Sequence, residues 1–332
     1  VISFIVRRLI YMIPLLLVIS IVCFALLDLM PGDILTEFRF DPTVDRAQLE
    51  REAQRLGLDQ PLHVRYFRWL SGVVQGDFGQ SFATRRPVWL YLFGPNLERL
   101  GWTLRVAALT MLFTWLVSIP IGVYSATHQY KVSDHAFTTL AFVGMSIPNF
   151  FFALVLLWFL VVPLNVGALG LGVSGAVASE YLGQPWSWGK FVSFMWHVWP
   201  VVLVTGTDGM AGLVRFMRGQ LLDTLGEQYV LTARSKGLRE RRVIWRHAVR
   251  NAINPLVTGL GMGALQALFA GDLIAAIIFN MPTVSRAFWS ALQANDVPTV
   301  QAGLMFFTVL LLIGNLLADI ALAWVDPRIR HT

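Results

Sequence analysis

Six long, mostly apolar stretches constrain this chain more than any other feature, because roughly 20 such residues in a helix cross a bilayer core of about 30 Å. They run from Leu9 to Leu29, Val106 to Thr127, Ala136 to Ser179, Phe191 to Thr207, Asn251 to Gly271 and Val297 to Ala318. Only 14% of the 332 residues are charged, against about a quarter in a soluble domain. That excludes an ordinary water-soluble enzyme and predicts an all-α polytopic membrane protein with six transmembrane helices. The third stretch is too long for one crossing, so its helix is expected to end near Val162. Glycine-rich Asn165 to Gly175 then forms an exterior loop, or carries a half-helix or re-entrant segment. The first stretch follows Arg7 and Arg8 and imitates a secretory leader. It is longer than the roughly 7 to 15 apolar residues of such a leader, and no small-residue cleavage site follows, so an uncleaved span is expected.

Basic residues set the expected orientation, since positive charge accumulates on the cytoplasmic side. Between Arg215 and Arg250 stand nine (Arg215, Arg218, Arg234, Lys236, Arg239, Arg241, Arg242, Arg246, Arg250) against three acids (Asp223, Glu227, Glu240). Arg7 and Arg8, Lys131, and Arg328 with Arg330 fall on the same side, placing both termini in the cytoplasm. The expected organisation is 1–29, the N-terminus and first span; 30–100, a small extracytoplasmic domain; 101–325, a five-helix core including the cytoplasmic loop 217–253; and 326–332, a cytoplasmic tail. The net charge of +6 follows from topology, and with no free basic arm a nucleic-acid partner is not expected. Membrane lipid is.

In the exterior domain the spacing predicts one helix over Asp45 to Leu56, closed by Gly57, and a second over Val64 to Val74. The second has Val64, Phe67, Leu70 and Val74 on one stripe and Arg65 and Arg68 off it. The stripe reads as a packing face or as a docking surface for an external partner.

Catalytic chemistry is nearly absent. Cys23 is the single cysteine and the six histidines are dispersed, so neither a metal cluster nor a redox pair is expected. Gly183-Gln-Pro-Trp-Ser-Trp-Gly189-Lys190-Phe191 resembles a phosphate loop, but its spacing is one residue too long and Phe191 replaces the magnesium-binding hydroxyl. Nucleotide energy, if used, must come from another chain.

The most informative stretch runs from Leu225 to Pro255. Its first part reads as a short helix stopped by Gly237, since glycine readily takes the left-handed conformation at a helix end. Val243, Ile244, His247 and Ala248 then recur at helical spacing, leaving Arg239, Arg241, Arg242 and Arg246 to face water, lipid phosphates or an acidic partner. Charge alone fits an electrostatic topology anchor equally well.

Tyr229-Val-x-Thr-Ala-Arg-x-Lys-Gly-Leu238 followed by His247-Ala-x-Arg-Asn-Ala-x-x-Pro255 resembles the coupling loop of ABC-importer permeases, in the dipeptide, oligopeptide, nickel and oligosaccharide branch and of the first-permease type. The likeness covers nearly the whole chain: Arg7-Arg8-Leu9, Met30-Pro-Gly-Asp33, Leu56-Gly-Leu-Asp-Gln-Pro-Leu62, Gly76-Asp-Phe-Gly-x-Ser81, Ser146-Ile-Pro148 and Asp326-Pro-Arg-Ile-Arg330. It implies the type I importer fold, a bacterial or archaeal plasma membrane, a homologous second permease, two ATP-binding subunits and an extracytoplasmic substrate-binding protein. It also implies no cofactor on this chain, with ATP and Mg on the partners. By the same resemblance Tyr229, Thr232, Ala233, Arg234, Lys236, Gly237 and Leu238 couple to the ATPase. Leu231-Thr-Ala stands where importers in general have Glu-Ala-Ala, a departure shared with the peptide branch.

Peptides are the expected cargo and oligosaccharides the alternative, because Ala276-Ile-Ile-Phe-Asn-Met-Pro-Thr-Val-Ser285 lacks an acid and two glycines usual in the peptide branch. Asp208 and Asp272, acids in apolar surroundings, are candidates for the translocation path, or else pair within the bundle, the reading favoured for Asp319. Trp186, Trp188, Trp196 and Trp199 read as an interfacial belt or a sugar-stacking platform. A secondary transporter or channel would share the spans and the acids but would need no helix-turn-helix for an ATPase; a membrane-embedded enzyme lacks an assembled acid, base and nucleophile.

Overall fold

A computed structural model describes residues 2–29, 47, 50, 51, 53, 54, 57, 59–169, 172–256 and 272–325, the side chains of 2–4, 168, 169, 272, 318 and 321–325 excepted. Among these residues the regular structure is helical, with one isolated bridge between Gln80 and Pro87 and no strand. In chain order the helices begin with α1 (Ile2–Asp28), α2 (Leu62–Val74), α3 (Val88–Phe93), α4 (Glu98–Thr127), α5 (Val132–Ser146) and α6 (Asn149–Val161). Then come α7 (Trp188–Leu225), α8 (Gln228–Ser235), α9 (Glu240–Arg242), a π-helical Val243–Ala248, α10 (Val249–Ala252), α11 (Asp272–Ile278), α12 (Val284–Gln293) and α13 (Val297–Val325).

Three helical segments are long and apolar enough to cross a bilayer: Ile5–Asp28, Val88–Thr127 and Val297–Leu317. The α5–α6 pair, bent by 98°, adds a fourth when counted as one span. The third expected span is therefore broken, and the reason is local. Ile147 precedes Pro148 and is extended (φ −86°, ψ 120°), as the clash of a proline ring with the preceding residue demands. Its far end, Val161, agrees with the expected stop near Val162. The fourth stretch lies within α7, where His197, Thr205 and Thr207 dilute its apolar character. Most of the fifth (257–271), the tail 326–332, and most of the expected Asp45–Leu56 helix lie outside the described residues.

The chain divides into two compact units. One comprises Trp102–Pro282 with Ile313–Thr332, the other Ile2–Gly101 with Thr283–Leu312. In the first, α4 and α7 are pressed together: Thr110 and Thr205 share a hydroxyl hydrogen bond of 3.1 Å, and the Thr114 hydroxyl donates to the Gly206 carbonyl at 3.1 Å. A Cβ at Gly206 would lie 2.5 Å from the Phe113 ring, so glycine here is what lets the helices approach. Val198, Val201 and Val204 are fully buried against Ala153, Ala275, Ala276 and Phe279, which draws α6 and α11 onto α7. The Gly175 N–H donates to the Phe279 carbonyl at 2.8 Å, pinning the loop after α6 to the end of α11.

In the second unit α2 lies on α1 through a face that apolar spacing misassigns. Tyr66 is buried and its hydroxyl pairs with Ser20 at 2.9 Å, the Phe24 ring meets it edge-on, and Arg65 pairs with Asp28, the acid that interrupts the first apolar run. Val64, Phe67 and Val74 of the expected stripe are exposed. Tyr66 is buried because its polar tip finds a partner, which counting apolar residues does not register. Elsewhere Val88, Leu92 and Phe93 of α3 pack on Val284 and Ala287 of α12 and Ala302 of α13.

Asp296, just before α13, is fully buried. Its carboxylate accepts from the Ser81 hydroxyl at 2.5 Å, the Phe82 N–H at 2.9 Å and the Thr299 hydroxyl at 2.7 Å. The Gly76-Asp-Phe-Gly-x-Ser81 motif is thus a turn, held by Asp77 accepting from the Gly79 N–H at 2.9 Å and fastened to the start of α13 by its serine. A buried donor left without an acceptor costs about 1–3 kcal/mol. Asp296→Ala strands three, so thermal unfolding of the detergent-purified chain should shift down by several degrees, and by less in Asp296→Asn, which retains one acceptor oxygen.

Candidate coupling site

The loop singled out by its charge folds as a packed element. α8 starts after Glu227, whose carbonyl accepts from the Val230 and Leu231 N–H groups, and runs to Ser235. Val230 and Ala233, three residues apart and so on one face, are buried in a cluster with Val123 and Ala126 of α4 and Met217 and Leu221 of α7. Val243, Ala248, Val249 and Ala252 complete it from the other side. The turn between them needs Gly237. Its φ is +71°, its N–H donates to the Arg234 carbonyl at 2.9 Å, and a Cβ there would meet nothing within 4 Å. Glycine is required for backbone conformation alone, since the left-handed region costs other residues about 1–2 kcal/mol.

The expected site residues divide between two faces. Tyr229, Thr232, Arg234, Lys236 and Gly237 are exposed; Ala233 points into the core and Leu238 is half-buried against it. The Thr232 hydroxyl donates back to the Gln228 carbonyl one turn earlier at 2.8 Å, although the residue is exposed. Leu231 and Trp245 are exposed as well, as are Arg239, Arg241, Arg242 and Arg246. Asp208 is exposed on α7, and the side chain of Asp272 lies outside the described residues.

Two polar arrangements escape sequence reasoning. Arg234 donates to both oxygens of Glu240, at 2.7 to 3.3 Å, bridging the turn around Gly237. The hydrogen bond from Arg234 holds the Glu240 carboxyl below its ordinary value, and the same bond raises Arg234. Second, Asp134 at the start of α5 is buried. It accepts from the Ser125 hydroxyl of α4, the Tyr130 N–H at 3.1 Å and the Arg218 guanidinium of α7 at 3.3 Å. Ser125 lies between the core residues Val123 and Ala126, and Arg218 follows Met217, so the helices that hold α8 also grip α5 through one carboxylate. In the sequence Asp134 reads as an acid in a first helical turn, complementing the helix dipole, and Arg218 as one cation among nine; 84 residues separate them.

Neighbouring charges in one network are non-additive by about 0.5–3 kcal/mol. A double-mutant cycle of Asp134→Asn and Arg218→Gln should show coupling in that range in thermal unfolding, and additivity would refute the clamp. Glu240 behaves differently because both partners are exposed, and such pairs contribute at most about 1 kcal/mol. Its folded value lies below the ordinary 4.5, so the contribution is full above that pH and vanishes as pH falls through the lowered value. Amide exchange at Lys236 and Gly237 should therefore be slightly faster in Glu240→Gln at neutral pH, with wild type converging on the variant in acid.

With this geometry in place, comparison with known proteins is direct. Residues 118–331 match the family described as binding-protein-dependent transport system inner membrane component, and residues 1–106 match its companion, the binding-protein-dependent transport system membrane component, N-terminal. The chain is 34% identical to the oligopeptide transport system permease protein AppB of Bacillus subtilis (strain 168) over 329 residues, 99% of each chain. It is equally identical to the dipeptide transport system permease protein DppB of Escherichia coli (strain K12) over 340 residues, and to the di/tripeptide transport system permease protein DppB of Pseudomonas aeruginosa (strain UCBPP-PA14) over 349, again with 99% of both chains covered. Two adjoining family matches and relatives aligned end to end establish that this chain belongs to the inner membrane components of binding-protein-dependent transport systems.

Proposed function

We propose that this chain is a non-catalytic permease subunit of an ATP-driven importer that takes peptides from an extracytoplasmic binding protein. It works by alternating access, paired with a homologous second permease on two ATP-binding subunits that hold ATP and Mg. On this reading the chain crosses the plasma membrane of a bacterium or archaeon six times with both termini inside, 30–100 lies outside, and α8 faces the cytosol. The observation that carries it is α8 itself. One face is buried in the chain's own core through Val230 and Ala233, while Tyr229, Leu231, Thr232 and Lys236 are left exposed. Burial joins that face to α7 and to the π-helical Val243–Ala248, and Arg218 of α7 carries the connection on to Asp134 of α5. The relatives named for di- and oligopeptide transport support peptide cargo. The acid and two glycines missing from Ala276 to Ser285 favour oligosaccharides as the second reading.

Moving a two-state equilibrium from 1:99 to 99:1 takes about 5.5 kcal/mol of differential binding, so strain of about 1–2 kcal/mol at the α8 turn is enough to degrade switching. In proteoliposomes holding the full assembly, Gly237→Val should keep ATP hydrolysis while peptide uptake falls several-fold, and the chain alone should transport nothing. Transport by the isolated chain, or unimpaired uptake by Gly237→Val, would overturn the coupled mechanism. Uptake of a sugar in place of peptides would overturn the cargo.

A further inference from the structure

The segment set aside as a failed phosphate loop gathers positive charge in another way. Lys190, in the first turn of α7, is only 5% exposed. Its Nζ donates to the Gln184 carbonyl at 2.6 Å and lies 5.5 Å from the centroid of the Trp186 ring. Arg105 of α4 stacks on the same indole, its Cζ 4.6 Å from the Trp186 centroid and 4.8 Å from that of Trp102. Trp102, Trp186 and Phe194 form one ring cluster, with centroids 5.3 to 6.1 Å apart. The loop is fixed from below, since the Ser187 hydroxyl accepts from the Lys190 N–H at 3.2 Å and Gly189 lies against Tyr181.

Two cations thus share one indole, and among the described residues neither pairs with a carboxylate. Stacking occupies the face of a guanidinium and leaves its in-plane N–H donors for oxygen acceptors. Lys190 has three donors, of which one carbonyl is satisfied. Cations with donors unused are costly where water is scarce, and a planar group with two oxygens matches the in-plane donors of Arg105 while its charge offsets both cations. Trp186, 48% exposed, and half-buried Arg105 leave the cluster open on one side. We infer that Arg105, Lys190 and Trp186 form a carboxylate-binding site and, resting on the peptide-import reading above, that its ligand is the terminal carboxylate of the peptide cargo.

The test uses the assembled importer in phosphatidylcholine nanodiscs, with tryptophan emission read as the difference between the importer and its Trp186→Phe variant. A tripeptide with a free C-terminus should titrate this signal at least about ten-fold more tightly than its C-terminal amide, the scale of one charged hydrogen bond. Arg105→Gln should remove that preference. Arg105→Lys, which keeps the charge without the planar fork, should lose about three-fold and serves if the glutamine variant does not assemble. Equal affinity for acid and amide, or no signal with either, overturns the site. So does a response to inorganic phosphate or to phosphatidylglycerol nanodiscs that exceeds the response to the peptide acid, which would make the ligand a phosphate, free or from a lipid headgroup. Peptide uptake in proteoliposomes is scored separately. Its absence would refute the peptide-import reading, while the titration still decides whether a carboxylate binds here.

Discussion

What fixes the site is apolar packing of the short helix α8 against the ends of two long ones. Eight residues are too few for a helix to persist in water by its own hydrogen bonds, so α8 owes its existence to Val230 and Ala233 being buried with Val123, Met217 and Leu221. That burial ties shape to position: α8 is helical where it packs on α7 and the π-helical Val243–Ala248. The positive charge that first draws the eye to this loop is peripheral to its folding, and nearly all of it points away from the core.

The buried acids obey one rule. A carboxyl group away from water persists only where hydrogen-bond partners replace its hydration. Asp134 and Asp296 each collect donors from separate segments, and half-exposed Asp28 finds Arg65. Acids in an apolar sequence are easily read as landmarks of a transport route. Here two of them are knots, each binding together stretches of chain that are distant in sequence. Asp208, exposed on α7, differs from both.

Features written in local spacing were legible. The stop of α8 at Gly237, the inward set of Val243 and Ala248, the outward arginines and the end of α6 all follow from periodicity and backbone preference. Features that depend on a distant partner were not. Nothing near Tyr66 announces Ser20, nothing near Asp134 announces Arg218, and the inward turn of Ala233 is set by Met217 and Leu221 on another helix. The α5–α6 break was encoded in Ser146-Ile-Pro148, but apolarity across it hid the change of direction, because hydropathy carries no information about backbone angle.

That break has a consequence for what surrounds it. Hydrocarbon offers no hydrogen-bond partner, so lipid tolerates main chain only where its own helix satisfies every amide and carbonyl. The Ile147 N–H still donates to the Val143 carbonyl at 3.3 Å and the Pro148 carbonyl accepts from the Phe152 N–H at 3.0 Å, but between the two helices the ladder is interrupted, and proline contributes no N–H to repair it. On the proposed reading of α5 and α6 as membrane-embedded, the peptide groups the elbow leaves without a helical partner belong toward wetted or protein-lined space. A right-angled bend in an oily segment is in this sense a compass, marking which flank of the polypeptide is dry.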